Sequence, residues 1–116
     1  MDMPVEIVFQ DFDRSPALEA NIRERAAKLS LFEGRASHCR VVVSRPRARG
    51  QQGHLYKVHI DVAVPGTEPV VVDRDPGLDH GHEDVYVAVR DAFAAATRQL
   101  QDHAQRRADA RTRGAD

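Results

Sequence analysis

The basic side chains of this 116-residue chain are grouped into stretches with few acids. Between Arg35 and Lys57 there are six basic residues and no acid, and residues 85–116 contain six arginines against four aspartates. Residues 58–84, between them, contain seven acids and one arginine. Clustered cations bind the phosphates of nucleic acids by releasing counterions, and screening limits the reach of distant acids to roughly 10 Å. The net charge of −1 therefore does not argue against an RNA partner.

The best RNA-contact candidates lie on a predicted basic loop and on two predicted helices. Arginines on a loop can bind phosphates bidentately and stack on unpaired bases. A loop that is charged only for solubility is the alternative interpretation. We predict an RNA-binding set that consists of Arg25, Lys28, Arg45, Arg47, Arg49, Arg90, Arg98, Arg106 and Arg107.

The helical members of this set have a second interpretation. Arg25 and Lys28 are three residues apart and therefore neighbours on a helix, where a solvated helix face is the alternative to RNA contact. Arg90, Arg98 and Arg107 are predicted to lie outside the apolar stripe of the second helix. Cations near its C-terminus also suit the negative end of the helix dipole, without any RNA.

Other site chemistries are not supported by the residue spacing. Residues 79–83 contain two histidines and two acids, but they match no zinc signature, so we predict a polar turn and no metal. His59 and Asp61 share a strand face without a recognisable nucleophile motif, so we predict no enzyme and no cofactor. Cys39 is the only cysteine, which excludes an internal disulfide, and its valine-rich surroundings predict a small buried thiol.

Hydrophobic periodicity predicts the elements that position these residues. Ser15-Pro16 is typical of a helix start, and Pro65-Gly66 of a turn. The predicted order is a strand at 4–10, a helix at 16–32, strands at 38–45, 56–64 and 68–73, and a second helix from about 85 to 107. This is an α+β fold, β-α-β-β-β-α, with a four-stranded mixed sheet and two helices packed on one face. We expect one domain over residues 1–108 and a disordered tail at 109–116.

The chain shows no predicted membrane segment. No apolar run approaches the roughly 20 residues that a membrane helix needs, and no secretory signal is visible at the N-terminus. We therefore expect a cytoplasmic location without a membrane partner.

Three segments resemble one known family. The range 53–66 (GHLYKVHIDVAVPG) resembles the third strand and following turn of the ribosome hibernation-promoting factor family, also called the ribosome-associated inhibitor or sigma-factor modulation protein family. Residues 83–93 and 98–100 resemble its last helix, and residues 17–32 its first. The three matches occur in one order and span nearly the whole chain.

The resemblance implies a non-catalytic protein whose fold is arranged like a double-stranded-RNA-binding domain. It implies binding to the rRNA of the small ribosomal subunit, in the mRNA and tRNA channel, which keeps idle ribosomes intact under stress. It also implies a short form without the family's C-terminal dimerisation domain, monomeric when free and without a small-molecule substrate, and Lys28 matches a family position. The alternative is a diverged non-catalytic binding module with a protein or another RNA as partner, because residues 58–84 are acidic.

Overall fold

The computed structural model describes residues 3–45, 56–74 and 84–114. Its elements, in chain order, are β1 (Val5–Gln10), α1 (Pro16–Leu29), β2 (His38–Ser44), β3 (Lys57–Ala63), β4 (Val70–Arg74) and α2 (Val85–Gly114). The predicted β-α-β-β-β-α order and the α+β class are confirmed.

The strands form one mixed sheet in the order β1-β2-β3-β4. β1 and β2 pair in parallel, because α1 carries the chain back between them, and the other two pairs are antiparallel. At the centre of the sheet, Val41 pairs with Ile60, which pairs with Val72. This register places the alternating valines of neighbouring strands on one face.

Local side-chain chemistry sets the ends of α1. The Ser15 hydroxyl oxygen accepts a hydrogen bond from the Leu18 N–H at 3.3 Å and caps the first turn. The helix ends at Leu29 rather than at the predicted Phe32. The Phe32 N–H bonds to the Leu29 carbonyl at 3.0 Å, a bond that spans three residues and continues the chain as a tighter turn.

α2 is longer than its apolar pattern predicted. Asp84 Oδ1 accepts a hydrogen bond from the Tyr86 N–H at 2.9 Å at its start. The helix has 30 residues and reaches Gly114, beyond the predicted end at Arg107. No proline or glycine interrupts it before Gly114, and its last turns are rich in alanine and arginine, which are good helix formers. At 1.5 Å per residue it is about 45 Å long, so its C-terminal part projects beyond the sheet. The domain boundary at residue 108 stays a prediction.

Both helices pack on the same face of the sheet. The largest fully buried apolar side chains there come from both helices and the inner strands: Leu18, Ile22, Leu29, Cys39, Val41, Val43, Val58, Ile60, Val62, Val89 and Leu100. Neither α1 nor α2 covers the other face, which includes Lys57, His59 and Asp61 and is partly exposed; we call it the uncovered sheet face.

Cys39 is a buried member of this core, as predicted. Burial, with a smaller contribution from the Asp61 charge, raises the pKa of its thiol to about 11. The thiol therefore stays protonated at neutral pH, and its role is packing rather than redox or nucleophilic chemistry.

Candidate nucleic-acid interface

The fold separates the predicted cations into two ends of the molecule. At the hairpin end, β2 finishes at Ser44 opposite Lys57, where β3 begins. At the turn end, His38 lies opposite Ala63. The turn end contains the α1–β2 connection (residues 30–37), the β3–β4 connection (residues 64–69) and the C-terminal part of α2.

At the hairpin end, Arg45 directly follows β2. Its backbone N–H bonds to the Gln10 carbonyl at 3.1 Å, and its guanidinium has no partner within the described part of the chain. The rings of Phe12 and Tyr56 pack edge to face at 5.5 Å, which braces this end of the sheet. The predicted contacts Arg47 and Arg49 lie outside the described residues.

The α1 candidates both have local partners. Arg25 Nε donates to Asn21 Oδ1 at 2.9 Å, and Lys28 Nζ lies 3.9 Å from Glu24 Oε1. The Lys28 side chain is 64% exposed, so this ion pair is weak and screened. A ligand phosphate could displace it, but the adjacent acid reduces the local positive potential.

The α2 candidates fall into paired and unpaired cations. Arg90 contacts its neighbour Asp91 at 3.3 Å. Arg98 and Arg106 are exposed and have no hydrogen bond or ion pair among residues 3–45, 56–74 and 84–114. They are about 12 Å apart along the helix axis and differ by about 80° around it. Asp102 lies between them in sequence and is also unpaired within the same ranges.

Arg107 is not on this surface. Its Nη1 lies 2.9 Å from Glu33 Oε1, and its side chain is only 26% exposed. Arg107 follows Leu100 by seven residues and His103 by four, so it continues the buried stripe of α2. The predicted position outside the stripe is therefore wrong, and the structure shows Arg107 as a structural cation.

The partner of Arg107 is the single buried charged side chain in the described parts of the chain. Glu33 has no exposed side-chain surface, and its Oε2 accepts a hydrogen bond from His103 Nδ1 at 2.8 Å. His103 Nε2 contacts Thr67 Oγ1 at 2.9 Å on the β3–β4 turn. We call Glu33, His103, Arg107 and Thr67 the Glu33 cluster; it ties three segments together at the turn end.

The Glu33 carboxylate is ionised despite its burial. Burial alone would raise its pKa, but hydrogen bonds from the Arg35 backbone N–H (3.1 Å) and from His103, together with the Arg107 charge, lower the pKa below its ordinary value. Arg107 Nη1 pairs with the carboxylate without hydrogen-bond alignment, and Arg107 Nε is buried without a hydrogen-bond partner. The cluster is thus a buried ionic group. Removing Arg107 from it would leave the buried Glu33 charge without compensation.

Residue spacing indicates the α2 members of this cluster but not Glu33. His103 and Arg107 lie in line with Leu100, which indicates a polar continuation of a buried stripe. Glu33 lies in an irregular connection after α1, where no period marks it as buried.

The uncovered sheet face carries three acids and two permanent cations, several of them in ion pairs. Arg40 Nε lies 3.5 Å from Glu6 Oε2, and Asp73 Oδ1 lies 3.8 Å from Lys57 Nζ and 3.7 Å from His59 Nδ1. A shallow concavity of about 210 Å³ lies between Lys57, His59 and Asp73. No hydrogen bond links His59 to a nucleophile in the described ranges.

The described part of the chain contains no group of three histidine, cysteine or acidic side chains that could hold a metal ion; residues 79–83 lie outside it. None of its helices is long and apolar enough to cross a membrane.

Comparison with known proteins gives one family and one fold. Residues 5–108 match the model of the Sigma 54 modulation protein / S30EA ribosomal protein family. The chain is similar to the Thermus thermophilus Protein Y N-terminal domain (18% identity, TM-score 0.61) and to a ribosomal subunit interface protein from Coxiella burnetii (17% identity, TM-score 0.67). Each alignment covers 89% of this chain and 99% of the other, and identities this low show the fold alone. No curated protein matches the chain at a significant level.

Arg107 and Arg106 form a matched pair for testing the Glu33 cluster. Arg107→Met should lower the free energy of unfolding by about 3 kcal/mol, because it leaves the buried Glu33 carboxylate without its closest cation. Arg106→Met removes the same charge from an exposed position and should change the free energy by no more than about 0.5 kcal/mol. Urea unfolding at pH 7 measures both; equal effects would contradict the inward placement of Arg107.

Glu33 should also make stability depend on pH. Its pKa is lower in the folded than in the unfolded state, so its stabilising contribution is present above the ordinary glutamate value of about 4.3 and is lost as pH falls below it. Glu33→Gln should be less stable than the unmodified protein at pH 7 and should lose less stability between about pH 5 and pH 3. Thermal unfolding at several pH values measures this, with the exposed Glu24→Gln as control. Parallel pH profiles for Glu33→Gln and the unmodified protein would refute the assignment.

Proposed function

Because the chain belongs to the sigma 54 modulation protein / S30EA ribosomal protein family, whose members are ribosome-associated hibernation and modulation proteins, we propose that it binds the small ribosomal subunit and inhibits translation. The observation on which this rests is the family match over residues 5–108, which spans all six elements of the fold. The protein of similar fold from Coxiella burnetii is a ribosomal subunit interface protein, which supports the same partner.

The proposed site is the mRNA and tRNA channel of the small subunit. A folded domain that occupies this channel excludes mRNA and tRNA sterically, so inhibition requires no chemical step. The ribosome would then be held idle and intact during stress. The protein would act in the cytoplasm, as a monomer when free.

We rank the predicted RNA contacts by the hydrogen bonds and ion pairs that each would have to break to bind phosphate. Arg45, Arg98 and Arg106 need to break no ion pair or hydrogen bond with a described residue, so they come first. Arg25, Lys28 and Arg90 each have an acid or amide beside them and come second. Arg47 and Arg49 remain candidates from sequence, whereas we assign Arg107 to the Glu33 cluster.

The second candidate is a non-catalytic binding module with a protein or another RNA as partner. It is favoured by the uncovered sheet face, where Glu6, Asp61 and Asp73 outnumber the cations Arg40 and Lys57. A basic protein segment would suit this face better than RNA.

Co-sedimentation with small subunits in a sucrose gradient tests the proposal. The protein should sediment with the subunits at low salt and be released as salt rises, since its contacts are with phosphates, and it should inhibit a purified translation system. If the protein stays free of subunits even at low salt, the proposed function is wrong.

Reversal of the loop charges tests whether the loop contributes to subunit binding. The triple variant Arg45→Glu, Arg47→Glu, Arg49→Glu should bind subunits at least about 10-fold more weakly and with a shallower salt dependence. Unchanged binding would remove the loop from the interface.

A further inference from the structure

Arg35 was not among the predicted RNA contacts, yet the structure places it at the turn end as an exposed cation. Its backbone N–H donates to Glu33 Oε1 at 3.1 Å. Its guanidinium extends across the β3–β4 turn, where Nη2 lies 4.0 Å from the position that a Cβ on Gly66 would occupy. Nothing in the described ranges forms a hydrogen bond or ion pair with this guanidinium.

The charged residues of the turn end form a largely buried inner group and an exposed outer group. Inside, the Glu33 carboxylate is surrounded by His103 and Arg107. Outside, Arg35 and Arg106 are exposed and unpaired within the same part of the chain. The nearby acids Glu68 and Asp102 form no ion pair with a described cation, so they lower the local potential without occupying either guanidinium.

Glu33 Oε1 contacts the backbone of Arg35 and the side chain of Arg107, the neighbour of Arg106. Glu33 Oε1 accepts the Arg35 backbone N–H at 3.1 Å and lies 2.9 Å from Arg107 Nη1. Arg106 is the residue before Arg107, so the carboxylate fixes the α1–β2 connection and the projecting part of α2 relative to each other. Pre-positioned donors bind a ligand at a lower entropic cost than donors on independent segments.

We propose that Arg35 and Arg106 together form a phosphate-binding surface for RNA at the turn end, and that Glu33 is its positioning residue. This proposal rests on the proposed function. It adds Arg35 as a contact residue, the turn end as the location, and Glu33 as the residue that positions the contacts. Guanidinium groups bind phosphate oxygens bidentately. Neither arginine must break a hydrogen bond or ion pair with a described residue to do so.

Binding of single variants to purified small subunits tests the surface. Arg35→Gln and Arg106→Gln should each weaken binding about 3- to 10-fold near 100 mM salt and reduce the slope of log K against log salt by about one. Asp102→Asn should strengthen binding, because it removes an acid from the same surface. Arg14→Gln is the matched control, since Arg14 is an exposed cation paired with Glu19 at 2.7 Å, far from the turn end in the fold.

The outcomes separate this inference from the proposed function. If the unmodified protein binds subunits and Arg35→Gln has the affinity and salt slope of Arg14→Gln, the surface is wrong and the proposed function stands. If the unmodified protein does not bind at low salt, the proposed function fails and the inference fails with it.

The positioning role of Glu33 must be tested by a measurement that a merely less stable protein would not change. In the background of Glu33→Gln, Arg35→Gln should weaken binding less than it does in the unmodified protein, because the guanidinium is no longer held in place. In the background of Ile22→Val, a core change at a fully buried position, the Arg35→Gln effect should be unchanged. Both backgrounds are measured where circular dichroism shows a folded protein. Equal effects of Arg35→Gln in all backgrounds would overturn the positioning role.

Discussion

The buried carboxylate of Glu33 is the constraint on which the turn end of the molecule depends. An ionised side chain without solvent exposure is stable only if its partners compensate for lost hydration. Here a backbone N–H, the imidazole of His103 and the guanidinium of Arg107 do so. Because two of these partners come from α2 and the third from the connection after α1, satisfying one carboxylate ties the C-terminal part of α2 to the α1–β2 connection.

Pairing of charges within the fold explains how a chain of net charge −1 can still present unpaired cations at its surface. Many of its charges are paired locally, as on the uncovered sheet face and on α1. Others are directed inward, as in the Glu33 cluster. Among the cations that remain unpaired within the described residues, Arg45 lies at the hairpin end and Arg35 and Arg106 lie at the turn end. The net charge therefore says less about binding than the list of unpaired cations.

The sequence predicted the fold well because the fold depends on local periodicity. Alternating valines in β2 and β3 and the stripe from Val85 to Leu100 specify which faces are buried, and Ser15 specifies where α1 begins. The candidate site was predicted less completely, because partners such as Glu33 and Arg107 are distant in sequence and meet only in the tertiary structure. Arg107 was assigned to the surface for this reason, and Arg35 was overlooked because no pattern distinguishes an unpaired arginine from a paired one.

A cryo-electron microscopy map of the protein bound to the small ribosomal subunit would test the account most directly. It should show the domain in the mRNA and tRNA channel with the Arg35 and Arg106 guanidinium groups within about 3 Å of rRNA phosphate oxygens. Glu33, His103 and Arg107 should keep their contacts in the complex. A map in which the uncovered sheet face meets the subunit and the turn end faces solvent would contradict it.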